Sequence, residues 1–502
     1  MPGFAVERFE RQAEAFVRAR GWHQWQHLAG LRAGLSLSSL YTEDFPDFTS
    51  IELFADLQGA QIEDPGQQRS LVGLLAGAFL EGRSVGAAER AAAFAARATL
   101  DLGDEHLLWR AAPPRWATVP ETPLRHGLQE AWRDELRGRA GAPLERWQTE
   151  LLELMAVRLA AGDWVDFWDN HRGLGLATLG PLADGLLATT ADVYGHVLGV
   201  YLGQLELPID DVWQSDVDWA FRASQFDSYF PGRRLMPLVA GTLRDLGIDL
   251  TDQPSVRLDV DARASLADGV HCVAVGVPEE IHVLVRRVGG YQDYGQTLRG
   301  VGMAQHLAQT DRSLPFATRW LGDRAPTLGY GLLLERLTLD PVWLRDRLEF
   351  TAIEDYRVVA HLAWLARVRA AAARLQFEAR FWRSGAESGG MGADWADAMS
   401  GALRLHAFSG EHLALLLGSP WSTLDSATWL RAELFAAQLA AYLRREFDAE
   451  WWRDPRAARL LVQELWRPGR RYTAEELLRF MGYDGFDAAV LGAELGEVLA
   501  AV

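Results

Sequence analysis

The first half of the chain alternates apolar and polar positions in the manner of helix after helix. "FERQAEAFVRARGWHQWQHLAGLRAGL" and "RSLVGLLAGAFLEGRSVGAAERAAAFAARATL" repeat apolar residues at helical spacing, which gives each helix a buried stripe. "APPRWATVPETPLRHGLQEAWRDELRG" opens as a proline-rich loop. Its Thr122-Pro123 step suits a helix start, because proline in the first turn gives up an N–H that has no helical partner anyway. The apolar run 177–209 carries Asp184, Asp192 and His196 and therefore reads as buried helix, not membrane span.

The texture changes near residue 250. "SVRLDVDA", "HCVAVGV" and "EIHVLVRRV" are short, β-rich and separated by turn signals, which predicts three strands in a small, largely antiparallel sheet at about 255–288. "GGYQDYG" reads as a loop, and a central helix follows over 297–308. On a helical wheel Leu298, Val301, Ala304 and Ala308 share one side; Arg299, Met303 and His306 share the other. Gly302 lies beside that second stripe, where a neighbouring backbone or a ligand could come close. The helix is thus expected to bury one face and present the other. Gly-rich "WRSGAESGGMGADW" (382–395) reads as an exposed connection. The predicted class is mainly α, with two helical lobes (1–250 and 251–502) around a cleft and the small sheet ahead of the central helix.

Composition narrows the chemistry. Of 502 residues 49% are hydrophobic, ample for a large core. The formal charge of −18 repels phosphate backbones and argues against nucleic acid as a partner. All 50 basic residues are arginine, so a phosphate-loop lysine, a Schiff-base lysine and a lysine general base are excluded. The single cysteine, Cys272, rules out an intrachain disulfide. That fits a reducing, cytoplasmic setting, as does a charged N-terminus without a signal-peptide core.

Other constellations read as structural. His23 and His27 are spaced i, i+4, but no third ligand is evident and Trp22 and Trp25 flank them. His271 and Cys272 are adjacent in a strand and point to opposite faces. The sequence contains no Gly-x-Ser-x-Gly elbow and no Cys-x-x-Cys pair, and its glycines near 290–302 do not form a dinucleotide fingerprint. Thr473-Ala-Glu-Glu476 has the pattern of a capping box.

A small sheet, then Gly-Gly-x-x-Asp-Tyr, then a helix of this internal pattern resembles the zinc metallopeptidases related to thimet oligopeptidase and oligoendopeptidase F, of the gluzincin fold. "FPGRRLMPLVAGTLRDLGIDL" resembles a segment before the family's zinc helix, and "ATWLRAELFAAQL" and "WRPGRRYTAEELL" resemble segments after it; in order they run from about 180 to the C-terminus. In that family the helix carries His-Glu-x-Gly-His: two histidines bind zinc and the glutamate activates its water. Aligned on Gly302, those positions are Arg299, Gly300 and Met303 here. The family's third ligand, a glutamate further along, falls on Leu328, in Thr327-Leu328-Gly329 where relatives read Thr-Glu-Gly. Arginine stays protonated, glycine and leucine have no donor, and methionine is a poor zinc ligand. His306 and His361, with Glu335 on the stripe of Leu328 and Leu332, do not rebuild a site.

The resemblance therefore implies a scaffold without zinc, without any other cofactor and without catalytic residues. Such a pseudopeptidase would bind a peptide or a protein partner, an active paralogue being one candidate, in a cleft at Asp293, Tyr294, Arg299, Met303, His306 and Glu335. Arg299 is expected to fill the vacated metal position and pair with Glu335 or Asp293. An unpaired strand edge at 270–288 is a second place for a peptide. Two alternatives stand: an active peptidase with a rebuilt or non-standard metal site, and a purely structural helical protein.

Overall fold

The computed structural model describes residues 4–32, 34–207, 211–384 and 390–499. The chain is mainly α-helical, with two small sheets. One apolar core runs from Phe9 in the first helix to Leu499 in the last described helix, so the faces predicted from helical periodicity pack into a common interior.

The opening helix, Val6–Leu28, and the helix Thr122–Glu135, with its proline in the first turn, follow the sequence pattern. Thr473 and Glu476 form the capping box: Thr473 Oγ1 accepts the Glu476 N–H at 3.2 Å and Glu476 accepts the Thr473 N–H at 2.8 Å. The run after Arg69 is not one helix. It bends by 78° between Pro65–Arg83 and Val85–Arg97, and then enters a hairpin, β1 (Thr99–Leu102) with β2 (Glu105–Leu108). The alternation in "TLDLGDEHLL" around Gly103-Asp104 was the available signal for it. Among the described residues no single helix is long and apolar enough to cross a membrane; that bent pair passes by length and composition only. In the connection at 382–395, Trp382 and Trp395 are buried within helices, and residues 385–389 lie outside the described set.

The three strands near 250–288 are β3 (Val256–Asp261), β4 (Val270–Gly276) and β5 (Glu280–Arg286). Their spatial order is β3-β5-β4. The β4–β5 pair is antiparallel as expected, whereas β3 runs parallel to β5. Central β5 is buried from Ile281 to Arg286, which explains its unbroken apolar run.

The central helix begins earlier than the pattern indicated, at Tyr291, and ends at Gln309. Asp293 accounts for the difference. Its carboxylate accepts the backbone N–H of Val288 (2.7 Å) and Gly289 (3.0 Å), closing the turn so that the helix starts six residues before Thr297. Nor does this helix present the predicted stripe: Arg299 reaches a cavity with Tyr291, Gln292, Gly295 and Gln296, but Met303 and His306 do not. From Asp293 to Leu307 only Gln296 and Met303 are even half-buried. The sheet covers one side and helix Ala325–Glu335 the other. A Cβ at Gly302 would lie 2.5 Å from the Tyr330 carbonyl oxygen, and one at Gly331 would lie 2.6 Å from that of Arg299. The two glycines let the helix backbones touch, which the wheel alone could not foresee.

Candidate functional site

Four segments bring charges together beside the central helix. Arg299 Nη1 donates to Glu335 Oε2 at 3.2 Å, and Arg367, from the long helix Ile353–Ser384, donates to Glu335 Oε1 at 2.7 Å. Arg367 Nε also donates to Glu433 Oε1 at 2.9 Å, and Trp364 Nε1 to Glu433 Oε2 at 2.9 Å. The Trp429 ring lies 5.2 Å from the Arg299 guanidinium carbon. Burial pushes the Glu335 carboxyl up, but the guanidinium groups of Arg299 and Arg367 outweigh it and hold it below the ordinary value. Asp293, the other acid considered for Arg299, is spent on the turn at Val288–Gly289.

The positions that would hold zinc do not fit it. Arg299 is in the ion network, Leu328 is buried, and Met303 is half-buried against Gly331. The catalytic-glutamate position is filled as well: a Cβ at Gly300 would meet Val283 Cγ1 at 2.5 Å and Val270 Cγ2 at 2.9 Å. Among the described residues no group of three or more His, Cys, Asp and Glu is placed to hold a metal ion. No step is therefore derived through a metal.

His306 is shut away from this network. Its Nδ1 is 2.9 Å from Thr327 Oγ1 and its Nε2 3.0 Å from the Gly469 carbonyl oxygen. Burial, then the neighbouring Arg470, push its pKa down to about 3, so it is neutral at pH 7. His361 is a second buried neutral histidine, at about 4, with Nδ1 2.8 Å from the Arg357 carbonyl oxygen. In the unfolded chain His306 takes up its proton near pH 6.5, so below that pH the unfolded state binds the extra proton. Stability is complete above about 6.5 and falls with acidification at up to about 1.4 kcal/mol per pH unit for this one group. Replacing His306 with glutamine is expected to flatten the slope of unfolding free energy against pH between 6 and 4 by up to one proton, measured by urea titrations; an unchanged slope would refute the assignment.

A cavity of ≈ 640 Å³ opens beside the ion network. Arg299, Glu335 and Arg367 reach its wall; Asp293, Tyr294, Met303 and His306, expected in the cleft, do not line it. Tyr294 is fully buried, donating its hydroxyl to the Pro231 carbonyl at 2.8 Å, and the other three are held as described. Asp218, Glu411 and Arg374 line the cavity and were missed, since they come from distant helices and loops with no local motif. Asp218 accepts from Trp116 Nε1 (2.8 Å) and Gln214 Nε2 (2.7 Å), yet burial pushes its carboxyl up to about 6. Exposed Arg374 stands over Trp395, its guanidinium carbon 5.7 Å from the ring centre. The cavity is thus lined by carboxylates, guanidinium groups and indole rings together.

The strand edge is narrower than expected. β5 is flanked on both sides, so only β4 has an outer edge here. The Arg286 N–H donates to the Gly269 carbonyl at 3.2 Å, and antiparallel alternation then turns the amides of Val270, Cys272 and Ala274 outward. The first helix covers part of that edge: a Cβ at Gly21 would lie 2.4 Å from the Ala274 carbonyl oxygen, and Leu28 O accepts the Ala267 N–H at 2.8 Å. Cys272 is left facing a second cavity.

No protein-family model and no curated protein matches the chain. Solved structures do. A protein designated oligoendopeptidase F superposes with a TM-score of 0.71 at 14% identity, covering 99% of this chain and 92% of that one. PZ peptidase A, solved with an inhibitor, gives 0.63 at 14% over 93% and 86%. The M32 carboxypeptidase from Deinococcus radiodurans R1 gives 0.56 at 15% over 98% of each chain. The chain has the fold of these peptidases along nearly its whole length.

Proposed function

We propose that this chain is a peptidase scaffold that has exchanged its metal chemistry for ligand binding, and that it holds a short peptide in the ≈ 640 Å³ cavity. The observation that carries the reading is the pairing of a sealed centre with an open cavity. Arg299, at a position the resemblance gives to a zinc ligand, is tied with Glu335, Arg367 and Glu433 into one ion network, while the space next to them remains open. Its volume lies within the range of about 300–1,000 Å³ usual for small-ligand sites. Asp218 and Glu411 suit an amine or a basic side chain, Arg374 suits a carboxylate or a peptide carbonyl, and Trp364 and Trp395 offer apolar faces. An open, charge-lined cavity also favours binding over a purely structural role.

Short peptides are expected to bind saturably, read by calorimetry and by tryptophan fluorescence, without being cleaved. Binding of a peptide amine should weaken as pH falls below about 6, where Asp218 takes up a proton and loses its charge. Arg374→Ala should weaken peptides with a free carboxylate more than their amides. A quenched-fluorescence peptide assay with added zinc checks the alternative of an active peptidase. Chelator-sensitive cleavage with stoichiometric metal would sink the reading, and so would the absence of binding by any peptide in a random tripeptide-to-pentapeptide library.

A further inference from the structure

The second cavity, ≈ 340 Å³, lies against the outer edge of β4 at Cys272, between the first helix and the loop at Arg470. Four arginines line it, Arg20, Arg172, Arg324 and Arg470, and among the described residues no carboxylate does. Their counter-charges fall short. Arg20 is matched by Glu81 at 2.7 Å, whereas Arg172 and Arg324 share the one carboxylate of Asp425, at 2.7 and 3.1 Å. Among the described residues Arg470 has no acid within ion-pair distance. Its Nε donates to Thr327 Oγ1 at 3.3 Å and its Nη1 to the Trp320 carbonyl at 2.6 Å, and no acceptor among the described residues meets Nη2. Asp323, the acid whose field reaches Arg470, is engaged by both arms of Arg431, each at 2.8 Å.

Only Glu81 and Asp425 pair directly with the four guanidinium groups that line the cavity, while Asp323, beside Arg470, is bonded to Arg431, which also pairs with Glu475. A largely buried guanidinium whose donors are not all met gains from an anion that completes them. Burial, then the nearby Arg324, hold the Arg470 pKa down at about 10, which still leaves it charged at neutral pH. Trp320 and Trp421 supply walls, with the Arg20 guanidinium carbon 4.9 Å from the Trp421 ring centre, so the cavity has apolar faces around a cationic floor. The outward amide of Cys272 adds a backbone donor at the rim.

We infer that this cavity is a binding site for a small oxyanion, a carboxylate or phosphate group received by Arg470 Nη2 with Arg324 and Arg172 beside it. Guanidinium forks match the paired oxygens of such groups and strengthen in a low-dielectric space. The anion has two sources, a free small molecule or the terminal carboxylate of a peptide. The site stands independently of the first cavity, whose ligand is recognised by other residues.

The test uses the full chain in low-chloride buffer, with inorganic phosphate and acetate as free anions and one short peptide in free-acid and C-terminal amide forms. Saturable calorimetric binding of at least one probe is expected, weakened at least about tenfold by Arg470→Met. Removal of a surface charge by Arg139→Ala should leave it unchanged. Cys272, the only thiol, gives a readout without mutation: bound anion should slow its labelling by methyl methanethiosulfonate severalfold in the native protein and not in the unfolded one. This keeps the inference testable if the Arg470 variant misfolds. Binding of a free anion that Arg470→Met weakens identifies a small-molecule source; binding of the free-acid peptide but not its amide, weakened by Arg470→Met and kept in Arg374→Ala, identifies a peptide terminus, and either supports the site. Absence of any saturable heat and of any protection of Cys272, or full binding by a folded Arg470→Met, overturns it. Neither negative result touches peptide binding in the larger cavity, which the Arg374→Ala variant reports separately.

Discussion

Replacing Glu335 with glutamine is expected to lower the unfolding free energy by about 2–4 kcal/mol. Glu335 is the acid shared by Arg299 and Arg367, and without its charge Arg299 keeps no carboxylate partner. Removing one member of a buried pair costs about 3–5 kcal/mol, and the side-chain exposures of 10% for Arg299 and 15% for Glu335 trim that figure. Arg367 retains Glu433, so the loss is concentrated on Arg299. Removing both charges, in Arg299→Met with Glu335→Gln, should recover part of the loss and give a coupling energy above about 1 kcal/mol in a double-mutant cycle. The pH dependence fixes the sign. Glu335 titrates below its unfolded value, so its contribution is present above about pH 4.3 and disappears as pH falls through the lower folded value. The gap between wild type and Glu335→Gln should therefore close at low pH. Equal melting temperatures at pH 7 would show that the network is not holding the centre.

Writing in the zinc-site residues that the resemblance implies should not produce an enzyme. The four-residue graft Arg299→His, Gly300→Glu, Met303→His and Leu328→Glu is expected to lose the fold before it gains zinc. A side chain at Gly300 must displace Val283 and Val270, both branched at Cβ and stiff, and overpacking of this kind costs about 1–3 kcal/mol. Leu328 is 9% exposed, so a carboxylate there is desolvated unless metal arrives, and the same graft strips Glu335 of Arg299. Together these reach about 5 kcal/mol or more, comparable with the whole stability of an ordinary domain, about 5–15 kcal/mol. The expected outcome is an insoluble or poorly packed protein with no zinc-dependent hydrolysis. Adding Val283→Ala and Val270→Ala should relieve the overpacking and recover solubility. A four-residue graft that folds with wild-type melting temperature and cleaves peptides with zinc would contradict this account.

Much of this was legible in the sequence, to different depths. The three strands came through because β-branched residues cluster between turn signals, and the strand bounds lie close to those read from the pattern. Their pairing came through for β4 and β5 but not for β3, since a parallel and an antiparallel neighbour impose the same local composition. The stripe of Arg299, Met303 and His306 was read from the wheel as one surface. The structure divides it among three environments: the ion network, the Gly331 backbone and the pocket between Thr327 and Gly469. Angular spacing fixes which residues share a side of a helix but not which neighbour arrives there. Arg299 pairs with Glu335, one of the two acids, Glu335 and Asp293, that the sequence offers it. Arg367 and Glu433 were not legible there, since they belong to helices far along the chain.

The sequence by itself determined the helical texture, the place of the small sheet, the absence of lysine and the residue types, Arg299, Met303 and Leu328, that stand where the resemblance would put zinc ligands. These are properties of residue type and near-neighbour spacing, which the chain states locally. Only the tertiary structure decided that Gly300 is closed by two valines, that the first helix covers part of the β4 edge, and that one cavity is mixed in charge while the other is cationic. Each of those depends on which distant segments meet and how closely. Close packing and electrostatics act through space, and no spacing along the chain encodes them.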